Sequence, residues 1–206
     1  MEEKKKKPIY KRWWFIVIVV FFVLSALGGM QQDEDEGESY TPSNSTGNSQ
    51  QQQTQEPVDP FPNATTGEKN ALDKAYSYLN YSYFSYTGLI DQLEFEKYST
   101  EEATFAADNC GADWNEQAVG KAKSYLKHSN FSYTGLIDQL EYEGFTTEQA
   151  THGADSCGAD WNEQAVGKAK SYLSHSSFSR EGLIDQLEYE GFTHEQAVYG
   201  VEQNGY

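Results

Sequence analysis

Hydrophobic and polar residues follow three different patterns along this chain. An unbroken apolar run occupies residues 13–30, a polar stretch occupies residues 31–70, and apolar residues recur every three or four positions in residues 71–206. The last pattern is typical of amphipathic α-helices that bury one face. Because β-branched residues are scarce outside the apolar run, a large sheet is not expected. The pattern predicts an all-α protein preceded by a single apolar helix and a polar linker.

The apolar run has the length and the flanks of a transmembrane segment. Eighteen helical residues span about 27 Å, close to a bilayer hydrocarbon core of about 30 Å. Basic residues cluster in residues 1–12 and acids follow the run, which predicts a cytoplasmic N-terminus and an extracellular remainder. A cleavable signal peptide has the same layout, and Ala26-Leu27-Gly28 resembles a cleavage site. The favoured prediction is an uncleaved single-pass anchor at residues 13–30 in the cell membrane.

The stretch from residue 31 to residue 70 is rich in Gln, Ser, Thr, Asn and acids and poor in large apolar residues. Such a segment cannot bury enough surface to offset its loss of conformational entropy, so we expect it to be disordered. A flexible chain of this length has a root-mean-square reach of roughly 35 Å. The interpretation is a stalk between the membrane and a folded part.

Two long strings recur at an interval of 47 residues. Gly88–Glu94 recurs at 135–141 and 182–188, and Cys110–Val119 recurs at 157–166. Self-similarity at a fixed period is the signature of a repeat architecture. We expect three tandem repeats, with boundaries at residues 71–119, 120–166 and 167–206.

Capping signals divide each repeat into three helices. Asp113 is an N-cap candidate for a first helix, with Glu116 completing a capping box, and Asp160 and Glu163 repeat the pair. A serine N-cap flanked by a hydrophobic staple opens each second helix, and Ser or Thr opens each third helix. The respective N-cap candidates are Ser85, Ser132 and Ser179, and Ser99, Thr146 and Thr193. The short connection between the second and third helices predicts a helix-turn-helix geometry.

A glycine at residue 144 is placed to end the second helix, because glycine adopts the positive φ that such a turn requires. Lys97 takes the same place in the first repeat, so a strained or differently shaped turn is expected there. Trp114 and Trp161 are predicted to be core residues that anchor the first helices of their repeats.

The charge distribution narrows the choice of partner. Residues 1–30, 31–70 and 71–206 carry net charges of +4, −7 and −14 within the overall −17. A nucleic-acid backbone needs clustered Lys and Arg, and none cluster in the helical part, so no nucleic-acid partner is predicted. A basic protein partner is the natural complement of this surface.

Acids recur at equivalent positions on the second helices and form the candidate partner-binding face. An ordinary solvated face is the alternative for any single acid, and the argument for function is that linked sites can raise avidity by about 10²–10⁴. The candidates are Asp91, Glu94, Glu96, Asp138, Glu141, Glu143, Asp185, Glu188 and Glu190.

Catalytic, metal and cofactor sites are not predicted. Asp138 and Glu141 lie one helical turn apart on a convex surface, whereas glycosidase acids flank a cleft. Cys110 and Cys157 occupy equivalent positions one repeat apart, too far for a disulfide, so buried packing thiols are expected. The four histidines show no metal-ligand spacing. The protein is therefore interpreted as a binding protein rather than an enzyme.

The strings at Gly135–Thr146 and Cys157–Ala165 resemble the Ltp-like family of host cell surface-exposed lipoproteins. The resemblance implies small helix-turn-helix modules outside the cell that provide superinfection exclusion by stopping phage DNA delivery. The implied partner is the tape measure protein or another basic component of the phage tail. The chain departs from the family in having no lipid-attachment cysteine after its apolar run and three copies where two are usual. The alternative function is a cell-wall or surface-adhesion module with no role in phage exclusion.

Overall fold

The computed structural model describes residues 60–206, and Thr65–Tyr206 form one compact unit. The described residues contain nine α-helices and no strand. The first repeat comprises α1 (Thr66–Tyr81), α2 (Tyr86–Phe95) and α3 (Thr100–Asn109); the second comprises α4 (Trp114–His128), α5 (Tyr133–Tyr142) and α6 (Thr147–Ser156); the third comprises α7 (Trp161–His175), α8 (Arg180–Tyr189) and α9 (His194–Glu202). The predicted all-α class with three helices per repeat is confirmed. The boundaries predicted at residues 119/120 and 166/167 fall inside α4 and α7.

The predicted anchor and most of the predicted linker lie outside the described residues. The disorder predicted for residues 66–70 is wrong, because these residues form the start of α1, where Thr65 and Glu68 make a capping box. Within residues 60–206, every helix is too short or too polar to cross a bilayer.

Hydroxyl and carboxylate side chains cap the helices where the sequence predicted. Thr146 accepts a hydrogen bond from the Gln149 amide while the Gln149 side chain accepts one from the Thr146 amide, a complete capping box. The capping box predicted at Asp113 is only half formed. The Asp113 side chain accepts hydrogen bonds from the backbone amides of Asn115 and Glu116, but the Glu116 side chain does not accept one from the Asp113 amide. Asp160 behaves in the same way. The Glu116 carboxylate would lie beside the capping carboxylate, and like charges repel.

Each repeat has its own core, formed where the first and second helices pack against the third. In the second repeat the core joins Ala118 and Ala122 of α4, Leu136 and Leu140 of α5, and Ala150 of α6. Alanines on the first and third helices let their backbones approach closely, while the leucines of the second helix fill the remaining space. Equivalent residues build the third core.

The start of each second helix contacts the next repeat. The Ser85 hydroxyl accepts a hydrogen bond from the Gly88 amide and donates one of 2.7 Å to the Glu143 carbonyl, while Thr87 donates to the Gly144 carbonyl at 3.1 Å. The same bonds recur between the second and third repeats, from Ser132 to Glu190 and from Thr134 to Gly191. Each repeat junction therefore joins a serine cap to the turn that follows the next second helix.

Aromatic side chains complete the repeat junction. The Tyr133 ring meets the Trp161 ring of the next repeat edge to face, with 5.5 Å between centroids, and Tyr86 meets Trp114 in the same way. Trp161 is half-buried and packs against the core of the second repeat. Trp161 therefore anchors its helix against a hydrophobic core, as predicted, and that core belongs to the preceding repeat.

The turn at Lys97 has the same shape as the glycine turns but is strained. The Lys97 and Tyr98 amides donate to Glu94 and Leu93 carbonyls, as the corresponding amides of the second repeat do. The φ angle of Lys97 is 76°, in the left-handed region that disfavours side chains. Of the two outcomes predicted for this turn, the structure shows the strained one.

Replacing Gly144 by alanine is expected to open the first repeat junction. Its φ is 95°, and a Cβ atom there would lie 2.3 Å from the Thr87 Oγ1 atom. Backbone strain of roughly 1–2 kcal/mol should add to the loss of junction hydrogen bonds at roughly 1 kcal/mol each. Denaturant unfolding of the Gly144→Ala protein measures the sum.

Gly158→Ala is the matched control for that experiment. Gly158 also has a positive φ, of 76°, but a Cβ atom there meets nothing within 4 Å. It should therefore lose stability through backbone strain alone. Equal losses of unfolding free energy in both variants would contradict the junction described above.

Candidate functional site

The nine candidate acids occupy three equivalent positions on or directly after the second helices. They are named here the first, second and third acids in chain order. The first acids are Asp91, Asp138 and Asp185; the second are Glu94, Glu141 and Glu188; the third are Glu96, Glu143 and Glu190. The three positions have different surroundings, so they cannot share one role.

The first acids face outward. Asp138 and Asp185 are exposed, and Asp91 is half-buried. They lie on the helix face opposite the buried leucines such as Leu136 and Leu140. An exposed carboxylate keeps its hydration and its charge, so Asp138 and Asp185 present negative charge on the second and third repeats.

The second acids are bonded to the start of the third helix. Glu141 accepts a hydrogen bond of 2.6 Å from the Thr147 hydroxyl, and Glu94 accepts one of 2.5 Å from Thr100. In the third repeat, His194 Nδ1 lies 2.6 Å from a Glu188 carboxylate oxygen. These contacts hold the two arms of the helix-turn-helix together, so the second acids are only partly available to a partner.

The third acids belong to a polar cluster inside each repeat. Glu143 is 9% exposed, pairs with Lys121 at 3.0 Å and accepts a hydrogen bond from the Tyr125 hydroxyl. Gln139 donates to the same hydroxyl at 3.2 Å, and the Lys121 ammonium lies 5.5 Å from the Tyr125 ring centroid. The prediction of an exposed face is wrong for Glu143, since this carboxylate lies between the first helix and the turn after the second.

The same polar cluster occurs in the other two repeats. Its members are Lys74, Tyr78, Gln92 and Glu96 in the first repeat, and Lys168, Tyr172, Gln186 and Glu190 in the third. Both acids are more exposed than Glu143. A buried charge is tolerated only when it is paired and hydrogen-bonded, and all three clusters satisfy that condition.

The polar clusters shift the pKa values of their members. Burial and the neighbouring Glu143 carboxylate raise the pKa of Tyr125 far above its ordinary value, so the phenol stays protonated and donates its hydrogen bond. Burial tends to raise the pKa of Glu190, but hydrogen bonds from Lys168 and Tyr172 outweigh it and lower that pKa. Glu190 is therefore held ionised by its partners.

Aromatic side chains next to the acids were not among the predicted site residues. Tyr142 is 41% exposed and Tyr189 is 87% exposed, and Phe95 takes the equivalent place in the first repeat. Each lies four residues after a first acid, on the same side of its helix. The 47-residue period contained this signal, because an aromatic stands between the second and third acids in every copy.

The cysteines are buried thiols, as predicted. Cys110 and Cys157 are free, and their sulfur atoms contact the carbonyls of Ala107 and Ala154. Burial raises the pKa of Cys110, which lowers its reactivity. Within residues 60–206, His, Cys, Asp and Glu side chains form no group of three that could hold a metal ion.

Three tandem helix-turn-helix repeats with outward acids define a class of small, acidic, all-helical repeat proteins. The family model described as host cell surface-exposed lipoprotein matches residues 67–110, 113–156 and 160–203, more than half of the chain. The chain belongs to this family. Each match covers the three helices of one repeat, and the family description indicates a location at the cell surface.

One solved structure is similar to part of the chain. It is Ltp, a superinfection exclusion protein from the Streptococcus thermophilus temperate phage TP-J34, with 33% sequence identity. The match covers 45% of this chain and 96% of that chain, with a TM-score of 0.43. A search of curated proteins finds no match.

Removing the cation from a polar cluster is expected to destabilise the second repeat. Lys121→Ala leaves the Glu143 carboxylate buried without its ion pair, which should reduce the unfolding free energy by about 2–4 kcal/mol. Lys123→Ala removes an exposed lysine from the same helix and should change it by less than about 0.5 kcal/mol. Urea unfolding of both variants makes the comparison, and similar losses would refute a structural role for the cluster.

The lowered pKa of Glu190 predicts a pH-dependent stability. A carboxyl group whose folded pKa is depressed stabilises the protein above its ordinary value of 4.5, and the contribution disappears as pH falls through the folded pKa. Glu190→Gln should therefore lower the melting temperature at pH 7 and have little effect at pH 3. A loss that is the same at both pH values would show that the charge of Glu190 does not matter.

Proposed function

We propose that this protein provides superinfection exclusion at the outer face of the host cell membrane. Its acidic repeats bind a basic component of an incoming phage tail, the tape measure protein, and thereby block delivery of phage DNA. The function is binding rather than catalysis. The three family matches are the observation that carries the proposal.

Membership of a cell surface-exposed family supports the location that the proposal needs. Ltp is a superinfection exclusion protein, and we extend that activity to this chain on the strength of the family matches. The apolar residues 13–30 would serve as the anchor in place of a lipid, with residues 31–64 as the stalk. This arrangement would put the repeats in the path of an injecting tail.

The surroundings of the acids favour the first acids as the partner-binding positions. The third acids are already neutralised by lysines, and the second acids are partly engaged by hydrogen bonds. Asp138 and Asp185 are exposed and have an exposed aromatic one turn later. Carboxylates attract Lys and Arg, and aromatic faces attract the same cations, so the pair suits a basic segment.

Phage DNA entry into cells that express the full chain is the direct test. We expect normal phage adsorption, loss of intracellular phage DNA and loss of the potassium efflux that accompanies injection. The charge-reversed protein with Asp138→Lys and Asp185→Lys should restore entry, and its binding to a purified tape measure protein should weaken most at low salt.

The control variant carries Glu101→Lys and Glu148→Lys. These acids are exposed in the first turns of α3 and α6, so the net charge changes equally away from the first acids. The control variant should still block entry of phage DNA.

The unsubstituted chain would instead support the cell-wall adhesion function if it left DNA entry unchanged across a broad phage panel and bound purified peptidoglycan.

A further inference from the structure

The two ends of the repeat array differ from the repeat junctions. A junction needs a docking side, made by the Ser-Tyr-Thr-Gly start of a second helix. It also needs a receiving side, made by the tryptophan, a glutamine, a helix glycine and the turn glycine of the following repeat. The receiving residues of the second repeat are Trp114, Gln117, Gly120 and Gly144.

The receiving side depends on small residues for steric reasons. A Cβ atom on Gly120 would lie 2.1 Å from the Tyr83 ring of the preceding repeat, and one on Gly144 would lie 2.3 Å from Thr87 Oγ1. The Gln117 side chain accepts a hydrogen bond of 3.2 Å from the Phe84 amide. The third repeat receives the second through the equivalent residues, with Asn130 above Gly167.

The first repeat lacks the receiving residues. Every one of the four equivalent positions is changed, namely to Gly67, Asn70, Asp73 and Lys97. A side chain at residue 73 fills the space that a preceding loop would need, and Lys97 puts a side chain on the turn despite the strain of its positive φ.

The third repeat lacks the docking residues. Arg180 and Glu181 replace the tyrosine and threonine that follow the serine in the other repeats. Arg180 forms an ion pair of 3.0 Å with Glu202, at the position where Tyr133 donates to Asp155 in the second repeat. Ser179 is exposed, whereas Ser85 and Ser132 are 2% exposed. The docking side has become a charged, hydrated surface.

We propose that the array is closed at both ends against head-to-tail addition of a second copy of this chain. The repeat junction is a heterologous interface, and such an interface continues into filaments unless its ends are altered. Terminal repeats of solenoid proteins carry polar outer faces for the same reason. The altered ends keep two copies of the array apart, with Asp138 and Asp185 accessible.

Two variants of the full chain, each with one opened end, test the proposal. In the first, Arg180→Tyr and Glu181→Thr restore the docking side. In the second, a copy of residues 113–156 replaces residues 66–109 and restores the receiving side. Each protein is purified in detergent, checked for native helix content by circular dichroism, and measured by sedimentation equilibrium up to about millimolar concentration, the range of the effective concentration between linked modules.

Each variant alone should sediment like the wild type, and the equimolar mixture should form a one-to-one complex. Its association constant should exceed that of the wild type mixed with either variant at least about tenfold. A mixture no heavier than its folded components would overturn the proposal, as would wild-type chains that associate as strongly as the mixture. If the transplanted repeat does not fold, a different variant replaces the mixture. It is a single chain that carries Arg180→Tyr and Glu181→Thr and has a copy of residues 113–156 appended at its C-terminal end. Cooperative unfolding of that added repeat with the array supports the proposal, and independent unfolding overturns it.

Discussion

The turn between the second and third helices is the feature on which the rest of this structure depends. In the second repeat it consists of Glu143, Gly144 and Phe145. Glu143 carries the paired carboxylate, its carbonyl accepts a hydrogen bond from Ser85, and Phe145 is buried in the core. Three consecutive residues thus join the charge cluster, the repeat junction and the hydrophobic core. A substitution in this turn therefore affects the charge cluster, the repeat junction and the core together.

This arrangement separates the acids of the polar clusters from the acids on the outer faces of the second helices. The third acid follows the helix and points back toward the lysine and tyrosine of the first helix, while the first acid lies on the outer face. The number of acids in the sequence therefore does not by itself show which carboxylates face solvent. Among the nine candidate acids, the proposed function depends mainly on Asp138 and Asp185, which are exposed on the outer faces of their helices.

Much of the fold could be predicted from residue types at local spacing. Capping side chains bond to amides two or three residues away, so Ser132 and Thr146 marked their helices correctly. Asp113 marked its helix too, but its capping box was overestimated because two carboxylates repel. The acids of the candidate site were found from the 47-residue period. Their division into paired and exposed groups could not be found from the sequence, because Lys121 and Glu143 are 22 residues apart in the chain.

The sequence by itself determined the helix count, the helix starts other than that of α1, the repeat period and the family, because each depends on contacts within a few residues or on direct self-similarity. Only the tertiary structure decided that Trp161 packs on the preceding repeat and that Glu143 is buried. Those properties arise between segments that meet in space. The same residue type can face solvent or a neighbouring repeat at equal spacing, so composition and period do not distinguish the two.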